Sequence, residues 1–504
     1  MSLSESQSIG LEEDAARRGW RVIAVAVSVF VLLWLYAAVS SEGFIEADAR
    51  THYLSARFAL SQPHRFISVW DRPLFMLLYS VPAATLGVMG TRTVSLIMAL
   101  LCAWTAWRIA ARLGMRRPEW AFVTTLASPL LYLHSFSEMT ELCFAALTGL
   151  ALLAYLDRKW VLMAVLVAIS PLGRPEGFGL ILLAAAALAL NRRWWHMVIL
   201  PLGLLAWTTI GWLMWGLPDY GHGVLNALLW LPKQWPYSGA SAYDPGPLLL
   251  WKTQPDGGMA GSLLLRLPVL AGPLLFPFTV AGTVLMLRSR TGSVPREQCW
   301  GRVVTMGLPW AILAGHSVLW WRGIMASNGE LRYLLVTAPM WGVVGAFGWE
   351  WASERLELRK AGWVLAGLAL LPALANVYFR VVPLGIYDDD RLALDVAQWY
   401  RSDAELQRQY PRLTASYIAV YQYLDMSMTD RRKTVVWSKA MVKQRPAGVV
   451  LVWDDVYAMK NADTSMCVSQ EELKENGWRE LRTFERGKRV WDVYLSPEPA
   501  VEKP

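Results

Sequence analysis

The chain is partitioned by apolar blocks of roughly twenty residues, the length at which a helix rising 1.5 Å per residue crosses a hydrocarbon core of about 30 Å. The first runs from about Trp20 to Ser40. Others follow at about Thr91–Ala110, Trp120–His134, Met139–Leu156, Trp160–Leu172, Phe178–Leu190 and Trp195–Trp215, then Leu263–Leu287, Val303–Trp321, Tyr333–Trp349 and Ala361–Phe379. Charged residues make up 17% of the 504, against about 25% in soluble domains. The expected fold class is mainly α: a polytopic membrane helix bundle of roughly eleven spans. The opening block has no small-residue cleavage site after it and reads as a retained span, not a signal peptide.

Charge sets the expected orientation. The net charge of +8 does not point to nucleic acid, because Arg and Lys fall in short clusters between apolar blocks. They occur at Arg17/Arg18/Arg21, Arg108/Arg112/Arg116/Arg117, Arg158/Lys159, Arg192/Arg193, Arg288/Arg290/Arg296/Arg302 and Arg355/Arg359/Lys360. These lie at every second connection, so cytoplasmic positive charge places the N-terminus inside and the C-terminus outside. The alternation requires that Pro73–Gly90 not cross. Asp71-Arg72-Pro73 before it and Pro82 and Gly87 within it suit a helix lying in, or re-entering, the outer interface.

The 4 cysteines show no CxxC spacing, and the 6 histidines form no HExxH-like cluster, so neither a disulfide framework nor a metal motif is expected. After about Val381 the apolar runs shorten to strand length, at Val435–Trp437, Val449–Trp453 and Val490–Leu495. Helical segments alternate with them at Ser438–Gln444 and Ser469–Asn476, the latter with Ser469 as cap and Gly477 after it. Residues 1–384 are expected to form the membrane module and 385–504 an extracytoplasmic α/β domain, with Asp388–Asp390 opening the linker.

Four stretches at the expected outer face carry groups capable of chemistry. Glu46 and Asp48 follow directly on the first span, a pair suited to a general base and its partner, with a solvated helix end as the competing reading. They lead into an amphipathic pattern through His52 and on to Trp70-Asp71-Arg72-Pro73. Gly173-Arg174-Pro175-Glu176-Gly177 interrupts two apolar blocks. An Arg held in a Pro-Gly turn at the interface suits a phosphate, and Glu176 can orient it or bind a sugar hydroxyl; a plain interhelical turn is the alternative. Ser137-Glu138-Met139-Thr140-Glu141 opens the next span, where an acidic first turn is also ordinary helix chemistry. Glu330-Leu331-Arg332-Tyr333 puts positive charge outside, against the topology rule. Most of the 28 tryptophans belong to interfacial belts; a few in Trp230–Trp251 suit a sugar-binding groove.

The order of span, acidic pair, amphipathic helix and interfacial helix resembles the GT-C superfamily of glycosyltransferases, which includes lipid A aminoarabinose transferases, protein O-mannosyltransferases and bacterial mannosyl- and arabinosyltransferases. The resemblance covers about Trp20 to Phe379. It implies a catalytic carboxylate in the first outer loop, Asp48 favoured and Glu46 second, since this chain reads Glu-Ala-Asp where Asp-Glu is common. It implies a polyprenyl-phosphate sugar donor, mannose being one candidate, with Arg174, Arg332 and Arg72 on the donor phosphate. Glu176, His52, Glu138 and Tyr333 are the candidate substrate contacts. The acceptor would be an extracytoplasmic glycan, lipid or protein, the displacement inverting, and the location the inner membrane among its lipids. No cofactor is called for; a divalent cation is left open. The competing classes are a secondary transporter or lipid-linked glycan flippase, a surface-glycan ligase or polymerase, and a non-catalytic receptor.

Overall fold

The computed structural model describes residues 5–68, 70–216, 252–253, 259–260, 267–272, 274–288, 296–322, 330–358, 360–368, 382–459 and 466–499. The Trp230–Trp251 stretch lies outside them. The chain is mainly helical with a small C-terminal sheet. It divides into two compact units, Met1–Ser40 with Ala59–Pro383, and Ser41–Phe58 with Leu384–Pro504.

In the first unit, every apolar block of the sequence coincides at least in part with helix among the described residues. Gly19–Ser40, Pro73–Arg112, Trp194–Met214 and Leu331–Arg355 are long and apolar enough to cross a membrane. Glu141–Leu156, Trp160–Gly173, Gly177–Leu190 and Phe276–Arg288 are shorter apolar helices. Composition alone does not tell their environments apart, but packing does. Most residues of Leu331–Arg355 are buried within the first unit, whereas few of Trp194–Met214 are, and that helix offers its apolar surface outward, as a lipid-facing helix does.

The block Pro73–Gly90 is a helix that doubles back on the span after it. Pro82 removes a backbone donor within it, and Gly87 takes φ 60°, ψ −142°, a conformation open to glycine. A straight helix would separate Tyr79 from Ser95 by about 24 Å. Here their hydroxyls are 2.9 Å apart. The helix expected before the second span is therefore separate from it, the two being joined by a sharp kink at Gly87.

The second unit is an α/β fold around a four-stranded sheet. Strand β1 (Arg412–Ala415) runs parallel to β2 (Val449–Asp454), with Thr414 opposite Leu451. Strands β3 (Arg479–Arg486) and β4 (Arg489–Leu495) form a hairpin turned at Gly487, φ +59°. The order is β1-β2-β4-β3, and β4 is antiparallel to both its neighbours. All of β2 is buried, as a continuous apolar strand covered on both faces should be. Val449, Leu451, Met441, Leu473, Trp478 and Tyr494 share its core.

The helix Gln470–Glu475 carries a full capping box between Ser469 and Glu472, and Gly477 follows at φ +76°. Two expectations are corrected. Asp388–Asp390 do not open a linker but form the first turn of the helix Asp388–Ser402, where acids favour the dipole, and Leu392, Val396 and Tyr400 bury one face. Val435–Trp437 makes no ladder: the sheet contact there is a single bridge from Leu413 to Thr434, and Val436 stays exposed. The first-loop helix Ala47–Ala59 also clusters mostly in this unit.

Candidate active site

Arg174 sits in the turn between the helices Ser170–Gly173 and Gly177–Leu190. Its own backbone is extended, and the Gly177 N–H donates to its carbonyl at 3.0 Å. The turn thus closes under a guanidinium that points into the protein. That group is buried, and each of its faces is used. Nη1 donates to Glu141 Oε1 at 2.7 Å and to Thr140 Oγ1 at 3.0 Å. Nη2 and Nε donate to Glu176 Oε1 at 3.0 and 3.1 Å.

Arg332 arrives from a position far along the chain and meets the same Glu141 at 3.8 Å. Its Nε also donates to Glu330, and its Nη1 lies 3.4 Å from the Met139 sulfur. The Tyr333 ring lies 5.6 Å from each guanidinium carbon, within cation–π range. His316 stacks on that ring at 5.0 Å and places Nε2 3.3 Å from Glu176 Oε1.

Burial pushes the Glu176 carboxyl up, but Arg174 and His316 outweigh it and hold it well below the usual carboxylate range. Burial likewise opposes the charge on Arg174, and Glu176 and Glu141 overcome it, so the guanidinium is held more firmly charged than usual. The cluster therefore stays ionised. It presents two cations with planar, forked donors suited to a phosphate. Three carboxylates, Glu141, Glu176 and Glu330, pair with them and outnumber them by one.

Four expected site residues, Arg174, Glu176, Arg332 and Tyr333, are thus brought together. Glu138 instead faces Arg92 at 3.6 Å and accepts from Thr91 Oγ1 at 3.2 Å. The carboxylate that joins the two arginines is Glu141, three residues on, where the helix Glu141–Leu156 begins. Arg72 occupies the residue before the helix Pro73–Arg112 at φ 60°, and its carbonyl accepts the Met76 N–H. Asp48, Glu46 and His52 belong to the second unit. Glu46 is exposed just ahead of the helix Ala47–Ala59, Asp48 is half-buried in its first turn, and His52 is buried.

Sequence reasoning missed Glu141 and His316. The usable signal for His316 was an ionisable side chain inside an otherwise apolar block, which is costly there without a partner. Among the described residues, no group of three His, Cys, Asp or Glu side chains is arranged to hold a metal ion.

No family model matches this sequence, and the search of curated proteins returned no match. Two solved structures align along nearly the whole chain. ArnT from Cupriavidus metallidurans in the apo state superposes with a TM-score of 0.57 at 13% identity, covering 95% of this chain and 98% of that one. ArnT from the same organism bound to undecaprenyl phosphate superposes with a TM-score of 0.61 at 13% identity, covering 94% and 98%. At such identity the likeness is one of fold.

Proposed function

We propose, for a chain whose fold is that of the GT-C superfamily, that it transfers a sugar from a polyprenyl-phosphate donor to an acceptor hydroxyl. The observation that carries this reading is the convergence of Arg174, Arg332 and Tyr333 at the ends of apolar helices, in a fold shared with a protein crystallised with undecaprenyl phosphate. A lipid-linked phosphate needs both an apolar path for its tail and forked cations for its head. The first unit supplies apolar helices and the two guanidinium groups.

In the proposed reaction a first-loop carboxylate, Asp48 before Glu46, takes the proton of the acceptor hydroxyl. The freed oxygen attacks the anomeric carbon from the face opposite the phosphate, and the carbon–oxygen bond to phosphate breaks. The leaving polyprenyl phosphate carries the negative charge away, met by Arg174 and Arg332, with Arg72 as a further candidate. Glu176, Glu138, His52 and Tyr333 are proposed to contact the substrates. The location is the inner membrane, with roughly eleven spans, the N-terminus inside and the second unit outside, following the alternation of charge. A cysteine placed at position 192 should then resist a membrane-impermeant thiol reagent added from outside; labelling there would overturn the orientation.

The direct test is to incubate the purified full chain in lipid vesicles with a panel of radiolabelled polyprenyl-phosphate sugars. Release of free polyprenyl phosphate with movement of the label to acceptor supports the reading. Passage of uncleaved donor across the vesicle wall, without release, would establish a flippase instead.

A further inference from the structure

We propose that Arg50, Asp390 and Tyr417 are positioning residues, through which the C-terminal α/β fold fixes the first-loop segment carrying Glu46 and Asp48. This rests on the reading of that segment as the source of the base. The segment does not simply emerge from the first span. It is held at three points by residues from beyond Pro383.

The first hold lies just ahead of the carboxylates. The N–H groups of Glu42 and Gly43 both donate to the Leu384 carbonyl at 3.0 Å, and the Leu384 N–H donates back to Ser41 Oγ at 2.8 Å. The backbones approach so closely that a Cβ on Gly43 would stand 2.2 Å from the Gly385 oxygen. Only glycine fits there without movement.

The second hold lies just after them. Arg50 forms a buried ion pair with Asp390 at 2.6 Å, and Tyr417 bridges the two, donating to Asp390 at 2.9 Å and accepting from Arg50 at 3.2 Å. The Arg50 guanidinium also lies over the rings of Phe44 and Tyr417, at 5.2 and 5.5 Å. Through the backbone, the Arg50 N–H reaches the Glu46 carbonyl at 3.4 Å. The third hold is Arg57 with Asp425 at 3.2 Å on the surface.

Glu46 and Asp48 therefore sit between two anchors only a few residues apart, both closed onto the C-terminal fold. A helix of thirteen residues is marginal by itself. Its first turn, where Asp48 lies, is where fraying is greatest, and these anchors oppose that fraying. A misplacement of about 1 Å in a reacting group costs about 10²-fold in rate. Loosening the anchors should accordingly slow transfer without disturbing donor binding, which the proposed function assigns to Arg174 and Arg332.

The test uses the full-length protein with Tyr417→Phe, Asp390→Asn and Gly43→Ala, read three ways. With undecaprenyl-phosphate sugar as donor, kcat should fall about 10- to 100-fold while the KM for donor stays within about twofold. Tyr417→Phe, which removes only one hydroxyl, should keep a near-normal unfolding midpoint and still lose rate. Hydrogen exchange should show lost protection in residues 44–58 with strands β2 and β4 unchanged. Unchanged rate together with unchanged exchange in Tyr417→Phe and Gly43→Ala would overturn the proposal. So would loss of protection spread evenly over the α/β fold, the mark of a purely structural role. If the wild-type protein transfers no sugar at all, the transferase reading fails. The exchange arm then still decides whether these residues hold the segment.

Discussion

Glu330 is the partner that Arg332 should surrender when a phosphate binds. Glu141 and Glu176 have side-chain exposures of 1% and 10%, whereas that of Glu330 is 30%. Moving either of the first two away from a cation would leave a buried charge unpaired, at a cost of about 3–5 kcal/mol. Glu330 can turn to water instead. Its charge-assisted bond to Arg332 is worth about 1.5–3 kcal/mol when buried, and partial exposure brings that down to about 1–2 kcal/mol. An incoming phosphate must first overcome that amount. Glu330→Gln removes the competing charge in advance, so affinity for undecaprenyl phosphate should tighten by about 5- to 30-fold. The assay is a titration of undecaprenyl phosphate into the protein in nanodiscs, at two salt concentrations. Binding that weakens, or does not change, in Glu330→Gln would refute the assignment of Arg332 to the phosphate.

Two further outcomes follow from particular contacts. Arg174→Lys keeps the charge but cannot serve Glu141, Thr140 and Glu176 together, so the heat-unfolding midpoint should drop by the equivalent of about 2–4 kcal/mol and donor affinity should fall at least about tenfold. Asp454 is raised above its ordinary value of 3.8 by burial, with Ser416 and the N–H groups of Tyr457 and Val456 opposing. Its stabilising contribution is therefore present in acid and is lost as pH rises through the raised value. Asp454→Asn should raise the midpoint of the second unit's unfolding at pH 7, by a few degrees, and the gain should vanish below about pH 4; an equal gain at both pH values would contradict the sign.

What the sequence disclosed depended on how local the signal was. The apolar blocks, strands β2 and β4 and the Ser469 cap announce themselves within a few residues, through length, continuous burial and a capping box. Arg174 and Arg332 were legible as oddities, charges where the topology rule disfavours them. Strand β3 was not, because Arg479–Arg486 is a mostly exposed, charge-rich edge with no apolar run. Strand β1 is four residues long and shows a pattern only once paired with β2. Glu141 looked like any acid in a helix's first turn until Arg174 and Arg332 closed on it from distant positions. The Arg50–Asp390 pair spans most of the chain, and no spacing within the sequence advertises it. Asp388–Asp390 looked like a linker because three successive acids are polar; that they start an amphipathic helix depends on the apolar face that follows.

A first-loop carboxylate is proposed to drive transfer of a lipid-linked sugar, and single-turnover transfer by Asp48→Asn isolates that step. The substitution keeps the side chain's size and removes the base. With the labelled donor prebound, transfer should fall by about 10² to 10⁴ while donor affinity is unchanged, and Glu46→Gln should lose less. Near-normal transfer by Asp48→Asn, with Glu46→Gln inactive, would reverse the two roles. Near-normal transfer by both would show that neither first-loop carboxylate is the base.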